Sequence, residues 1–233
     1  MGDDALEALF IAQKPTFRKQ IGRLRKHRAG HANGLEVGSY VGAFLAAARD
    51  AGLQFDGVDV NANAVAFARK KGFQVFEGAI EDTDTTRKYD VIAFWNCFEQ
   101  LPDAIAAARA AYDRLHDNGI MTVRVPNGGY WLALRRLAER PGPLRGLARA
   151  ALAQNNLLSF PYRNGFTAES LAALAQKTGF VVESIEGEFS LPAGSAGTPR
   201  WARMEARLVH TVVRALRRLT GAPWLEMYAR KAI

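Results

Sequence analysis

The chain contains very little cysteine and no long apolar run. Its 233 residues include a single cysteine, Cys97, which excludes a disulfide framework and a cysteine-based metal site. No segment approaches the roughly 18 uncharged apolar residues that a membrane-spanning helix needs. The first residues, MGDDALEALF, are acidic and lack the pattern of a signal peptide. We therefore expect a cytoplasmic protein with an ordinary hydrophobic core and no metal.

Acidic residues are scarce relative to basic ones, and the formal net charge is +8. The basic excess is concentrated in residues 17–28, 134–149 and 200–231. One interpretation is that these runs are solvated helix faces. The other is that they contact an anionic partner, such as an acidic substrate, a membrane surface or RNA.

The order of apolar segments predicts an α/β protein. Residues 1–30 predict two short helices, and residues 31–233 predict one domain in which strands alternate with helices of 10–15 residues. Strands are predicted at 34–38, 55–60, 73–78, 89–96, 120–126, 180–189 and 224–233. A helix is predicted from 103 to 119. This alternation favours a doubly wound, mostly parallel sheet, interrupted by insertions at about 128–158 and 191–222.

The segment LEVGSYVG, residues 35–42, is a strand that runs into a glycine turn. A nicotinamide enzyme would carry G-x-G-x-x-G here and an acid about 20 residues later, and Asp59 satisfies the second requirement. The turn instead has Tyr40 where a close glycine is wanted. Glu36 precedes it, an awkward position for an acid beside a pyrophosphate. A ligand with a cationic end fits Glu36 better.

Six segments in order resemble class I S-adenosylmethionine-dependent methyltransferases, in the group related to ubiquinone biosynthesis. They are GLEVGSYVGAFL, FDGVDVNANAVAFAR, FEGAIED, YDVIAFWNCFEQLPD, NGIMTVRVPN and GFTAESLAALAQKTGFVVESI. The resemblance runs from about residue 34 to 188. It implies a Rossmann-like sheet of seven strands whose last strand, WLEMYARKAI, is antiparallel.

The resemblance also implies the cofactor site. Glu36 would lie near the ammonium end of S-adenosylmethionine, and Asp59 would accept hydrogen bonds from the ribose. The cofactor-binding residues that it implies are Glu36, Gly38, Ser39, Tyr40, Gly42, Asp59, Val60, Ala79, Ile80, Glu81, Trp95, Asn96 and Cys97. Outside this context, Glu36 could be a capping acid and Asp59 a turn former. Cys97 is expected to be a small packed residue rather than a nucleophile.

Five residues depart from the family pattern: Tyr40, Asn61, Asn96, Gln100 and Tyr162. The last two replace histidines that would be the obvious general base, so the base is not identified by the sequence.

Both insertions should lie near the pocket mouth, because ligands bind at the carboxyl ends of parallel strands. Tyr130, Trp131, Tyr162 and Arg163 are therefore candidates for substrate contact. We expect the two insertions to form a basic cap over the pocket, and an anionic acceptor suits such a cap. The alternative is that the arginines of the cap serve only solubility.

The sequence therefore predicts an enzyme that transfers methyl from S-adenosylmethionine to a small molecule, at oxygen by resemblance, leaving S-adenosylhomocysteine. The first alternative is an NAD(P)-dependent oxidoreductase. The second is a non-catalytic protein of this fold that binds RNA or an anionic membrane through its basic helices. Nucleic acid is the less favoured partner, and peripheral membrane contact stays open. The acceptor and the oligomeric state are not predicted.

Overall fold

Short apolar segments form a central sheet covered by helices on both faces. The computed structural model describes residues 2–28, 32–154, 163–189, 204, 211 and 221–232. The strands are β1 Asn33–Val37, β2 Gln54–Asp59, β3 Val75–Glu77, β4 Tyr89–Trp95, β5 Leu115–Pro126, β6 Phe180–Glu188 and β7 Trp224–Lys231. The helices are α1 Asp3–Gln13, α2 Arg18–His27, α3 Ala43–Asp50, α4 Ala62–Lys70, α5 Ala104–Arg114, α6 Gly128–Glu139, α7 Arg145–Gln154 and α8 Ala168–Lys177.

The seven strands form one sheet in the order β3-β2-β1-β4-β5-β7-β6. β7 is antiparallel to both of its neighbours, and the other pairs are parallel. The predicted Rossmann-like architecture with an antiparallel last strand is thereby confirmed. The chain winds in opposite directions from β1 and from β4, and such a switch point is where ligands bind in open α/β sheets.

The central strand β4 is apolar on both faces because helices cover both. Ile92 and Phe94 pack towards the layer that contains α5 and α8. Val91, Ala93 and Trp95 pack on the opposite layer, which contains α2 and α3. Burial on both faces explains why this strand has no polar alternation.

The predicted helix at 103–119 is too long at its end. α5 stops at Arg114, and Leu115 already pairs with Tyr89 in the sheet. The Arg114 side chain is buried and its guanidinium donates to the carbonyls of Glu81 and Thr83. Asn118 then takes a left-handed conformation (φ 61°), which turns the chain before the apolar half of β5.

The N-terminal helices pack onto the sheet domain. Leu6 of α1 lies in a cluster with Val41 and Phe67, next to the predicted glycine turn. Ile21 and Leu24 of α2 join the core on the Trp95 face. The N-terminal segment therefore borders the edge of the sheet at which the ligand is expected.

The first insertion contains a helical hairpin. α6 and α7 share a small core of Tyr130, Leu134, Ala138, Ala148 and Ala151. Most of the second insertion, and Tyr162, lie outside the described residues. Within the described part of the chain, no helix is both long and apolar enough to cross a membrane.

Candidate cofactor and acceptor site

The turn between β1 and α3 brings backbone close to the end of β4. Gly38 and Gly42 both have positive φ (73° and 74°), a conformation that glycine adopts without steric cost. A side chain at Gly38 would place its Cβ 2.8 Å from Cys97 Cβ and 2.9 Å from Cys97 Sγ. Tyr40, between the two glycines, also has positive φ (45°). The absence of a side chain at Gly38 thus lets the turn after β1 lie close to the end of β4.

Two carboxylates lie at the carboxyl ends of β1 and β2. Glu36 is only 3% exposed, and its Oε2 has no hydrogen-bond partner among the described residues. Burial, followed by the nearby negative charge of Asp59, raises the pKa of Glu36 well above its usual value. A buried carboxyl in this state would be stabilised as an anion by a cation or a hydrogen-bond donor in the adjacent space.

Asp59 organises the turn. Its Oδ2 accepts the Tyr40 N–H at 2.7 Å, and its Oδ1 accepts the Asn61 N–H at 2.8 Å. Each carboxylate oxygen has a further lone pair, so Asp59 can still accept from ligand hydroxyls. Val60 follows with 76% of its surface exposed, which leaves an apolar surface beside the acid.

The loop after β3 is fixed by hydrogen bonds to its backbone. Ile80 is buried, whereas Glu81 is exposed and its carbonyl accepts a hydrogen bond from Arg114 Nη2 at 3.0 Å. The Ala79 N–H donates to Asp82 Oδ2 at 3.1 Å. The backbone of this loop, which contains the predicted cofactor-binding residues Ala79, Ile80 and Glu81, is therefore fixed by Arg114 and Asp82. The sequence reasoning missed Arg114, whose signal is a lone arginine at the end of an alanine-rich helix.

The end of β4 contributes Trp95, Asn96 and Cys97. The Trp95 ring is packed in the core against Phe44, with ring centres 5.6 Å apart. Cys97 Sγ lies 3.0 Å from the Val37 carbonyl. Burial and the surrounding acids Glu99, Glu36 and Asp59 raise the pKa of the Cys97 thiol. A neutral, packed thiol is a poor nucleophile.

Asn96 is oriented by Arg124, a residue that the sequence reasoning also missed. It has positive φ (59°), its carbonyl accepts from Gln100 Nε2 at 3.0 Å, and its side-chain oxygen accepts from Arg124. Arg124 is itself held by Glu188 at 2.9 Å and stacks on the Trp224 ring at 4.1 Å. An arginine within the apolar strand IMTVRVP was the available signal, because such a charge needs buried partners.

Three of the four substrate candidates, Tyr130, Trp131 and Arg163, lie within the described residues, and Tyr162 lies outside them. Tyr130 is fully buried in the core of α6 and α7, where burial raises its pKa to about 12, and its ring meets Trp131 edge to face at 4.9 Å. Arg163 is exposed. Its backbone N–H donates to the Glu99 carbonyl at 3.1 Å, which places the residue beside the end of β4. The described residues contain no group of three or more metal-binding side chains.

Comparison with known proteins identifies the family. A family model described as a methyltransferase domain matches residues 11–185. No curated protein sequence matches the chain significantly.

Many solved structures share the fold. An S-adenosylmethionine-dependent methyltransferase from Archaeoglobus fulgidus is 18% identical with a TM-score of 0.64, over 97% of each chain. A mycolic acid cyclopropane synthase solved with S-adenosylhomocysteine is 16% identical with a TM-score of 0.63, over 91% of this chain and 83% of that one. The magnesium protoporphyrin IX methyltransferase of Synechocystis, also solved with S-adenosylhomocysteine, is 12% identical with a TM-score of 0.58, over 95% and 84%.

Proposed function

Because this chain belongs to the methyltransferase-domain family, we propose that it transfers a methyl group from S-adenosylmethionine to a hydroxyl of a small, anionic acceptor. The family and the fold confirm the predicted S-adenosylmethionine-dependent methyltransferase. The narrower likeness to the ubiquinone-biosynthesis group stays a prediction.

The observation that carries the proposal is the pair of acids around the Gly38 turn. Glu36 has a buried oxygen without a partner among the described residues, and the cofactor's ammonium group would supply one. Asp59 keeps free lone pairs for ribose hydroxyls, and the exposed Val60 offers an apolar surface to the adenine. Gly38 leaves space where any side chain would collide with Cys97. Bound S-adenosylmethionine supplies an electrophilic methyl group on a sulfonium.

The acceptor side is proposed from the residues around the end of β4. Arg163 is exposed there and can pair with a carboxylate or phosphate of the acceptor. Trp131 adds a half-buried aromatic ring at the start of α6. An in-line arrangement of donor and acceptor contributes several kcal/mol to such a transfer without further chemistry from the protein.

The two alternative functions are not favoured. A nicotinamide cofactor would bring a pyrophosphate to a turn that contains the buried Glu36, and like charges repel. A non-catalytic protein that binds RNA or membranes would have no use for the arrangement of Glu36, Gly38 and Asp59.

The experiment that tests the proposed cofactor is calorimetric titration with S-adenosylmethionine and S-adenosylhomocysteine. Asp59→Ala should weaken both by ten- to a hundredfold, because hydrogen bonds to a charged group contribute about 1.5–3 kcal/mol. Asp113→Ala, which removes an exposed acid of α5, is the matched control and should bind normally. Failure of the folded wild type to bind either ligand would refute the proposal.

A further inference from the structure

Glu99 is a buried acid beside the candidate site with no assigned role. It lies in a single 3-10 turn, Phe98–Gln100, directly after β4, and is 3% exposed. Its Oε2 has no hydrogen-bond partner among the described residues, and its Oε1 lies 3.4 Å from Gln100 Nε2. An acid buried in this way is costly unless its free oxygen faces a group that arrives with a ligand.

The turn that carries Glu99 is rigid. Phe98 is fully buried and packs against Phe94 and Phe166, with ring centres 5.0 and 5.5 Å away. The Glu99 carbonyl accepts the N–H groups of Arg163 and Asn164 at 3.1 and 3.0 Å. The same residue therefore fixes the segment that presents Arg163, the candidate contact for an anionic acceptor.

Glu99 also lies close to the cofactor turn. Cys97 lies against Gly38, and its thiol experiences the negative charges of Glu99, Glu36 and Asp59, in that order of strength. Glu36 and Asp59 are the acids assigned to the amino-acid and ribose portions of the cofactor. Glu99 follows Cys97 by two residues and its carbonyl holds Arg163, so it lies between the cofactor turn and the candidate acceptor contact.

Among the described groups, Arg124 of β5 and the Gln100 side chain favour the ionised form of Glu99. Glu36 of β1 and Asp59 of β2 act, together with Glu99, on the neighbouring Cys97 thiol. Burial is the largest effect and raises the pKa of Glu99 above its usual value. A carboxyl whose pKa moves towards neutrality is a better proton acceptor at neutral pH than an ordinary glutamate.

We propose that Glu99 accepts the proton of the acceptor hydroxyl, the task for which the expected histidines are missing at Gln100 and Tyr162. The inference rests on the proposed function. The acceptor oxygen loses its proton to the Glu99 carboxylate as the new oxygen–methyl bond forms and the sulfur–methyl bond breaks, leaving a neutral thioether. The proton on Glu99 then passes to solvent, so charge and atoms balance.

This role has a consequence that requires no knowledge of the acceptor. A sulfonium next to Glu99 favours the ionised carboxylate, whereas the uncharged sulfur of S-adenosylhomocysteine does not. Binding of S-adenosylmethionine should therefore release a proton from Glu99. Below neutral pH both ligands carry the same charges on their amino-acid portion, so the sulfonium is the charge that distinguishes them.

The test is the ratio of the two affinities, measured by calorimetry from pH 5 to 7. In the wild type, the preference for S-adenosylmethionine over S-adenosylhomocysteine should increase with pH, by at most about tenfold per pH unit. In Glu99→Gln the ratio should be constant over this range. Glu169→Gln, which changes an exposed glutamate of α8, should behave as the wild type.

Three results would overturn the assignment. A constant ratio in the wild type would mean that the sulfonium does not act on Glu99. An equal increase in Glu99→Gln would assign the proton to another acid, such as Glu36. Lack of binding of either ligand to the folded wild type would remove the proposed function as well, whereas normal binding with a constant ratio removes only the role of Glu99.

Discussion

Gly38→Ala is the substitution that tests most directly whether the turn after β1 needs glycine for its backbone to lie close to Cys97 and the cofactor. The native φ of 73° lies in the left-handed region, which costs alanine about 1–2 kcal/mol relative to glycine. The new Cβ would also lie 2.8 Å from Cys97 Cβ. Cys97 Cβ is attached to backbone at the end of β4 and cannot rotate away, so the turn or the strand end must shift.

Forcing a methyl group into such a contact costs typically about 1–3 kcal/mol, which brings the expected loss of unfolding free energy to about 2–5 kcal/mol. Gly52→Ala is the matched control, because Gly52 has φ 74° and no atom lies within 4 Å of the position that the alanine methyl group would take. It should lose only the backbone share, about 1–2 kcal/mol. The difference between the two variants isolates the contact with Cys97.

Urea unfolding of both variants, with calorimetric titration of S-adenosylhomocysteine, measures these effects. Gly38→Ala should bind the ligand at least about tenfold more weakly, because a shift of the turn moves Tyr40 and Asp59 with it. Gly52→Ala should bind normally. Equal unfolding free energies for the two variants, with unchanged ligand affinity in Gly38→Ala, would refute the assignment of the turn.

Two further substitutions test the proposed cofactor contact and the proposed acceptor contact separately. Glu36→Gln should stabilise the ligand-free protein at neutral pH and weaken S-adenosylhomocysteine binding. Because the pKa of Glu36 is raised in the folded protein, the unfolding free energy of the wild type should fall as pH rises above the usual glutamate pKa. Urea unfolding at several pH values should show a smaller fall in the variant. Arg163→Glu should raise the KM for an anionic acceptor at least about tenfold while leaving S-adenosylhomocysteine binding unchanged, and unaltered acceptor kinetics would contradict its role.

The mostly parallel sheet could be predicted because local signals agreed. Strands without polar alternation, such as β4, indicate burial on both faces, and glycines such as Gly52 and Gly72 mark where helices end. The end of α5 could not be predicted, because it depends on Arg114 reaching the carbonyls of a loop 31 and 33 residues earlier in the chain. Such a contact leaves no periodic trace in the sequence.

The placement of the predicted cofactor residues follows from topology, whereas that of the acceptor-side residues does not. Glu36, Gly38 and Asp59 lie at the ends of successive strands, where topology alone brings them together. Arg124 and Glu99 matter through burial and partners that only the folded chain defines. Tyr130 shows the same limit, because its position after β5 suggested the pocket but its ring packs inside the α6 and α7 hairpin.

The first basic run, residues 17–28, illustrates how net charge can mislead about partners. Lys19 pairs with Glu188 at 2.9 Å and Arg23 with Glu226 at 2.7 Å, and both acids are fully buried. These cations of the run are therefore matched within the fold and are less available to RNA or lipid.

Glu188 also holds Arg124, and Arg124 holds Asn96 at the end of β4. The cations of α2 are thus connected to the end of β4 through Glu188 and Arg124. Helix α2 is in this way connected to Asn96, whereas the charge count alone would have assigned its cations to solvent or to an external anion.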